Sequence, residues 1–271
     1  MTQAEAQAAT QTAKLLVGKS ALITAGGAGL GEAIALKLAA AGANVVIADI
    51  SSKRGAGTVE QAEALGVAAF AVKMDVSVSQ SVQEVIKQTI ARFGRLDILV
   101  NNAGGTFGYT GKLADLPEEL WDRTLAVNLT SIYLTSKYTI PHMLEKGGGV
   151  ILNIASVAGL NGRPNEAAYC AAKGGVVQLT RALAVEYSAQ NIRVNCICPS
   201  FATTRGIERI INESPDPEAT RQHMLRGILV GYLADPKDIG EAALFLVSDQ
   251  SRFITGVALP VDGGVSCHFA S

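Results

Sequence analysis

The sequence predicts an α/β protein in which one doubly wound parallel sheet of about seven strands carries helices on both faces. Three observations predict it. Seven short runs rich in Val, Ile and Leu recur along the 271 residues, they alternate with longer alanine-rich or amphipathic stretches, and the first run opens directly into a glycine-rich turn. Regular alternation of this kind argues for right-handed βαβ crossovers, and strands so apolar must be covered on both faces. With 48% hydrophobic residues and no shift in composition, the length suits one large core. A single domain is expected over 18–271, after a flexible extension over 1–17.

The first strand, SALIT (20–24), runs into Thr24-Ala25-Gly26-Gly27-Ala28-Gly29-Leu30-Gly31, and 29–41 continues as a helix. Glycines let a backbone come close to a pyrophosphate, and a helix N-terminus offers it free N–H groups and a positive dipole end. The plainer reading is that the glycines only serve the tight turn. The second strand, NVVIA (44–48), sharpens the choice by placing Asp49 at its C-terminal end, eighteen residues after Gly31. A carboxylate there can accept hydrogen bonds from an adenosine ribose and would repel a 2′-phosphate, which points to NAD over NADP. Lys53 and Arg54 lie close enough in sequence to reach a phosphate, if they do not stay solvated.

A helix at 52–65 leads to AAFAV (68–72) and then Asp75, placed either to meet an adenine amino group or to cap the next turn. Helix 79–93 precedes LDILV (96–100), which ends in NNAG (101–104). A long helical pattern at 117–144 precedes GVILNI (149–154) and Ser156; the next helix, 165–188, holds Tyr169-Cys170-Ala171-Ala172-Lys173. IRVNCI (192–197), a helix at 236–248 and GVALPV (256–261) complete the alternation, closed by the turn Asp262-Gly263-Gly264. The least regular stretch, 199–232, contains Pro199, Pro215 and Pro217; its part 203–232 is expected to be a substrate lid.

Charge and composition narrow the function. With 23 Lys+Arg against 24 Asp+Glu, no broad positive field exists to hold nucleic acid or an anionic membrane. The opening MTQAEAQAATQTAKLL has neither the basic start nor the apolar middle of a secretory signal, and no apolar run reaches spanning length uninterrupted. A cytoplasmic protein acting on small molecules is expected. Cys170, Cys196, Cys198 and Cys267 form no CxxC pair and read as reduced thiols. His142, His223 and His268 are scattered without the surrounding pattern of a metal site, and none is expected.

Order and spacing together are specific. A glycine turn, an Asp ending the second strand, NNAG, Asn128 in a helix, Ser156 thirteen residues before Tyr169 and Lys173 four after it closely resemble the short-chain dehydrogenase/reductase family. The resemblance covers about residues 18–264, with further agreement in RVNCICPS (193–200) and TGVALPVDGG (255–264). It implies a Rossmann-type, NAD-preferring oxidoreductase. The dinucleotide would be held by Gly26, Gly27, Gly29, Leu30, Gly31, Asp49, Ile50, Asp75, Val76, Asn102, Ala103, Gly104, Tyr169, Lys173, Pro199, Ser200 and Thr203. Two positions depart from the family's pattern. Ala25 stands where the first glycine of TGxxxGxG is expected, and Ser200 where glycine often follows the proline. Because alanine disfavours positive φ, the turn is expected to keep a negative φ at 25 or to draw on Gly26.

Hydride exchange with an alcohol carbon needs a partner for the hydroxyl proton. Tyr169 is the expected general acid/base, and Lys173, one helical turn on, is expected to favour tyrosinate by its charge. Ser156, at a strand end, can donate to the substrate oxygen. The resemblance further implies that Lys173 bonds the nicotinamide ribose and that Asn128 holds a water leading from Lys173 to solvent. Phe107, Tyr109, Val157, Leu160, Phe201, Leu225 and Leu229 are the expected pocket walls, suited to a hydrophobic secondary alcohol or its ketone. Alternatives are a reductase of 3-oxoacyl groups on an acyl carrier protein and a non-catalytic NAD(H) sensor. The helices at 117–144 and 165–188 resemble those through which family members form homotetramers.

Overall fold

The computed structural model describes residues 14–108 and 110–267. Its seven strands are β1 (Ser20–Thr24), β2 (Asn44–Asp49), β3 (Ala69–Lys73), β4 (Ile98–Asn101), β5 (Gly149–Ile154), β6 (Ile192–Pro199) and β7 (Ala258–Val261). They form one parallel sheet in the order β3-β2-β1-β4-β5-β6-β7, with Ile23 opposite Ile47 on one side and Val100 on the other. Alternation explains why the strands are apolar throughout. Ala21 and Ile23 of β1, Val45 and Ile47 of β2, and Ile98 and Val100 of β4 enter one core. Leu22, Val46, Ala48 and Leu99 between them enter the other.

The helices cover those two cores. Helix α1 (Gly29–Ala40) supplies Ile34 and Leu38 to the first, and α2 (Ser52–Ala64) supplies Ala62. Helix α3 (Ser79–Phe93) gives Val82, Val85 and Ile86 to the second. The pattern at 117–144 does not form one helix: α4 (Glu118–Leu125) passes through a π turn at Ala126–Thr130 into α5 (Ser131–Glu145). Helix α6 (Ala167–Tyr187) spans the expected region. In the segment after β6, Thr204 caps α7 (Arg205–Asn212) and Asp216 caps α8 (Pro217–Leu225), which has Pro217 in its first turn. Asp235 and Asp238 form a capping box on α9 (Pro236–Val247). Gly240 of α9 sits where a Cβ would come 3.2 Å from the Ala33 carbonyl oxygen, which lets α9 lie close on α1.

The fold begins before residue 18. Leu16, in the stretch expected as a flexible extension, is 2% exposed in the first core, and its N–H donates to the Ala41 carbonyl at 2.9 Å. An apolar side chain that reaches a sheet-covering helix is held by burial whatever its distance from the first strand. Residues 1–13, Tyr109 and His268 lie outside the described residues.

Candidate active site

The crevice lies where the strand order reverses. The connections that follow β1 and β4 lead towards opposite edges of the sheet, so the two C-terminal ends part and leave room for a ligand. Thr24, the last residue of β1, ties the two sides together. Its Oγ1 accepts from the N–H groups of Asn102 and Ala103, both at 2.9 Å, and Asn102 Nδ2 donates to the carbonyls of Thr24 (3.0 Å) and Ala25 (3.2 Å).

The glycine turn answers the question raised by Ala25. Ala25 has φ +50°, while Gly26 has no positive φ; the expectation of a negative φ at 25, or of a shift onto Gly26, is thereby corrected. The reason is that this turn is fixed from outside. Asn102 holds the Ala25 carbonyl, and the same carbonyl lies against Gly31, where any Cβ would collide with it. Gly27 approaches the start of α2 so closely that a Cβ would come 2.8 Å from Arg54, and Gly29 has φ +60°.

These residues fit a dinucleotide. The N-cap of α1, Ala28, makes no side-chain capping bond, so the first N–H groups of the helix face the crevice with no side chain to serve them. The Asp49 carboxylate, 5% exposed, stands at the lip of the turn, accepting from Ser51 N–H at 3.0 Å and Gly27 N–H at 3.4 Å. Ile50 beside it is exposed. Asp75 has the partners of a turn cap, its Oδ1 accepting from the Ser77 N–H (2.9 Å) and hydroxyl (2.6 Å). The side chains of Val76 and Leu30 pack into the two cores. Further round, Ser200 Oγ donates to the Asp262 carbonyl at 3.1 Å and Thr203 N–H to Ala234 at 2.9 Å. The Asp262 carboxylate accepts from Gly264 and Ser266 N–H groups. Against the burial that raises its pKa, those bonds hold Asp262 below the usual carboxylate range.

Ser156, just past β5, and Tyr169 and Lys173, on α6, meet at the same end of the sheet. Ser156 Oγ accepts from Ala158 N–H at 3.1 Å, and the Ser156 side chain acts on Tyr169 to lower its pKa. Lys173 is 3% exposed. Its Nζ donates to the Ile154 carbonyl at 2.7 Å and lies 5.7 Å from the centre of the Tyr169 ring. Burial lowers the Lys173 pKa to about 8. Burial also raises that of Tyr169, with Ser156 acting in the opposite direction. Withdrawal from water disfavours tyrosinate, so this phenol lies above the ordinary tyrosine range.

Asn128 lies in the π turn, fully buried. Its Oδ1 accepts from Gly105 N–H at 3.0 Å, and its Nδ2 donates to the carbonyls of Gly105 (2.9 Å) and Thr124 (3.0 Å). At Gly104 a Cβ would come 2.6 Å from Asn128 Oδ1 and 3.2 Å from Lys173 Nζ, so only glycine fits between them. Beneath, a buried polar chain joins four elements: Thr135 Oγ1 to Asn101 Oδ1 (2.7 Å), Asn101 Nδ2 to Asn153 Oδ1 (2.8 Å) and Asn153 Nδ2 to Thr180 Oγ1 (2.9 Å). This chain fixes α6 against β5, and hence Tyr169 and Lys173 against Ser156.

The cavity beside Tyr169 differs from the expected one. Thr106, Gly111, Leu113, Leu116, Thr124 and residues 165–168 line it with Tyr169; Phe107, Val157, Leu160, Phe201, Leu225 and Leu229 do not. Val157 is buried, and Leu160 packs on the cluster around Val176. Phe201 and Leu225 join Ile211 and Met224, Phe107 carries the Arg123 guanidinium over its ring at 4.6 Å, and Leu229 packs beside Gly264. Arg163 and Glu166 are the functional candidates that the sequence reading missed. They shift the Tyr169 pKa in opposite directions, and the available signal was the placement of Glu166 three residues before Tyr169.

Cys196 and Cys198 are buried, Cys170 is half-buried and Cys267 exposed, all as free thiols. Among the described residues there is no His/Cys/Asp/Glu group suited to a metal ion, and no helix long and apolar enough to cross a membrane.

Residues 24–266 match the sequence profile of a family described as enoyl-(acyl carrier protein) reductase. The chain is 40% identical over 249 residues to 2-(S)-hydroxypropyl-CoM dehydrogenase 3 of Xanthobacter autotrophicus, covering 90% of this chain and 95% of that one. A solved structure from Burkholderia xenovorans, described as a short-chain dehydrogenase/reductase, superposes with a TM-score of 0.90 at 38% identity, covering 94% of this chain and 98% of the other. NAD+-bound xylitol dehydrogenase superposes with a TM-score of 0.86 at 32% identity, covering 92% and 99%.

Proposed function

The chain belongs to the short-chain dehydrogenase/reductase family of oxidoreductases, and on that premise we propose that it uses NAD(H) to interconvert a secondary alcohol and its ketone, with Tyr169 as general acid/base. The observation that carries this reading is the convergence of Ser156, Tyr169 and buried Lys173 on a crevice whose glycine turn is shaped for phosphates. The bound nicotinamide would accept the hydride of the carbinol carbon or return it. Ser156 orients the substrate oxygen by donating to it, and Tyr169 takes its proton in oxidation or supplies one in reduction. A phenol kept protonated by burial is ready to donate at neutral pH, which suits ketone reduction, and oxidation gains as the pH rises. Lys173, charged below pH about 8, offers donors towards the ribose and stabilises tyrosinate when it forms. Asn128 holds the Gly105 backbone in place and would hold a water that links Lys173 to solvent. Asp49 sets the preference for NAD, supported by its hydrogen bonds at the turn's lip and by the NAD+-bound neighbour. The segment 203–232 closes over the substrate as a lid, and the enzyme works as a homotetramer.

A second reading is reduction of a 3-oxoacyl group on an acyl carrier protein, the carrier that the profile's description also names. Within 203–232, Arg205, Arg209, Arg221 and Arg226 face an equal number of acids, Glu208, Glu213, Asp216 and Glu218, which leaves no positive surface for an acidic carrier. A panel of secondary alcohols and ketones, with an acetoacetyl thioester, assayed at 340 nm with each cofactor tests both. Turnover of an alcohol or ketone with NAD(H), and relaxed selection against NADP(H) in Asp49→Ala, are expected. Exclusive NADPH-dependent reduction of the thioester would favour the second reading, and no turnover at all would favour a sensor of the NAD/NADH ratio.

A further inference from the structure

We propose that Arg163, anchored on the Phe201 ring, is a positioning residue that pairs Glu166 and so governs proton exchange at Tyr169. The inference rests on the alcohol–ketone reading above and deepens the part that Tyr169 plays in it. Glu166 is the N-cap residue of α6, three residues before Tyr169. Its Oε2 is buried and receives no hydrogen bond among the described residues. Arg163 Nη1 stands 3.5 Å from that oxygen as its ion-pair partner, longer than a charge-assisted hydrogen bond. The guanidinium is held there by a second anchor, the Phe201 ring, over which it lies at 4.9 Å. Phe201 in turn packs with Ile211, Met224 and Ile228 of the proposed lid. On the other side, the Asn165 carbonyl accepts from Gly111 N–H at 3.2 Å, which ties the Arg163 loop to the segment after β4. Arg163 thus stands between the start of the Tyr169 helix and the lid.

Both charges act on Tyr169 from sites that water reaches only in part, the Arg163 side chain being 30% exposed and that of Glu166 15%. The carboxylate disfavours tyrosinate and the guanidinium favours it. Paired, they offset one another; with the arginine displaced, the carboxylate acts alone. The seating of Arg163 on Phe201 therefore links the lid to the group that exchanges the proton. The other titratable groups near Tyr169 are Lys173, 5.7 Å from its ring, and Cys170 on the same helix. Helix α4 and strand β6, both packed against α6, bring Glu118, Glu119, Asp122 and Arg123, and Arg193, Cys196 and Cys198. All of these stay unchanged in the variants below, so their influence cancels when titrations are compared.

The pH dependence of kcat/KM for alcohol oxidation with NAD+ tests this, since oxidation needs Tyr169 to accept a proton. Arg163→Met, which removes the cation, should move the midpoint up by at least ~0.5 pH unit. Glu166→Gln, which removes the anion at constant shape, should move it down. The double variant should return towards the wild type, and Arg163→Lys, which keeps the charge, should stay closer to it than Arg163→Met does. Phe201→Leu should move the midpoint up by less than Arg163→Met. A midpoint unmoved in Arg163→Met or in Glu166→Gln, with the rate merely lowered at every pH, would overturn the proposal and leave alcohol oxidation standing. An unmoved midpoint in Phe201→Leu would overturn the anchor. Should no alcohol turn over, the oxidation reading fails, and NMR of the NADH complex carrying isotope-labelled tyrosine decides the pair's role separately, the Tyr169 signal being assigned by its loss in Tyr169→Phe. The same order of midpoints supports that role, and superimposable titrations overturn it.

Discussion

At Lys173 an ammonium with 3% of its surface exposed lies 2.7 Å from a main-chain carbonyl, and its pKa falls to about 8 from an ordinary 10.5. Below pH 8 the lysine is charged in the native and unfolded chains alike, and its burial opposes folding. Between about 8 and 10.5 the unfolded chain still binds the proton that the native state has released, so stability rises with pH. Chemical denaturation of wild type and Lys173→Met across this range should give a stability difference that shifts in favour of wild type with rising pH; a flat difference would mean that the ammonium is not desolvated. Ser156, Tyr169 and Lys173 were legible because helix periodicity and a strand end fix their relative places. Glu166 and Arg163 were not, since a charged residue at a helix start is usually solvated. Only the packing of Leu113 and Leu116 into the same cavity makes this one part of the site.

Among the elements, the turn from β1 into α1 was read wrongly at one dihedral. Ala25 keeps φ +50° because Asn102 grips its carbonyl and Gly31 makes room for it, an interaction 77 residues away in sequence that no local rule sees. Left-handed geometry costs a non-glycine residue about 1–2 kcal/mol, part of which glycine returns through the entropy of its unfolded chain. Ala25→Gly is thus expected to stabilise the protein by about 0.5–1 kcal/mol, raising Tm by about 1–3 °C in calorimetry; a lower Tm would show that the alanine methyl contributes packing worth more than the strain. The pattern at 117–144 carried the right residues but concealed its π turn. That turn is stabilised by Asn128 bonding to Gly105, 23 residues away in sequence, again a tertiary effect. Strand positions survived because a parallel sheet buried on both faces leaves its apolar runs unmistakable.

For the molecule as a whole, two cores on either face of one sheet place every candidate catalytic group at the strands' C-terminal end, and this arrangement was legible from alternation alone. Assembly is a separate matter. Val185 on α6 is 86% exposed and Tyr133 on α5 48% exposed, apolar or aromatic surface that a neighbouring subunit would cover. Light scattering should give four times the 28.1 kDa chain mass, and a monomer mass would contradict the tetramer. The proton route through Tyr169 is the claim on which the rest turns. The alcohol turned over best by the wild type should be assayed with Tyr169→Phe, alongside fluorescence titration of NADH. The account predicts a loss of ~10²–10⁴-fold in kcat with NADH binding retained. A phenylalanine variant that keeps most of the wild-type rate would contradict it.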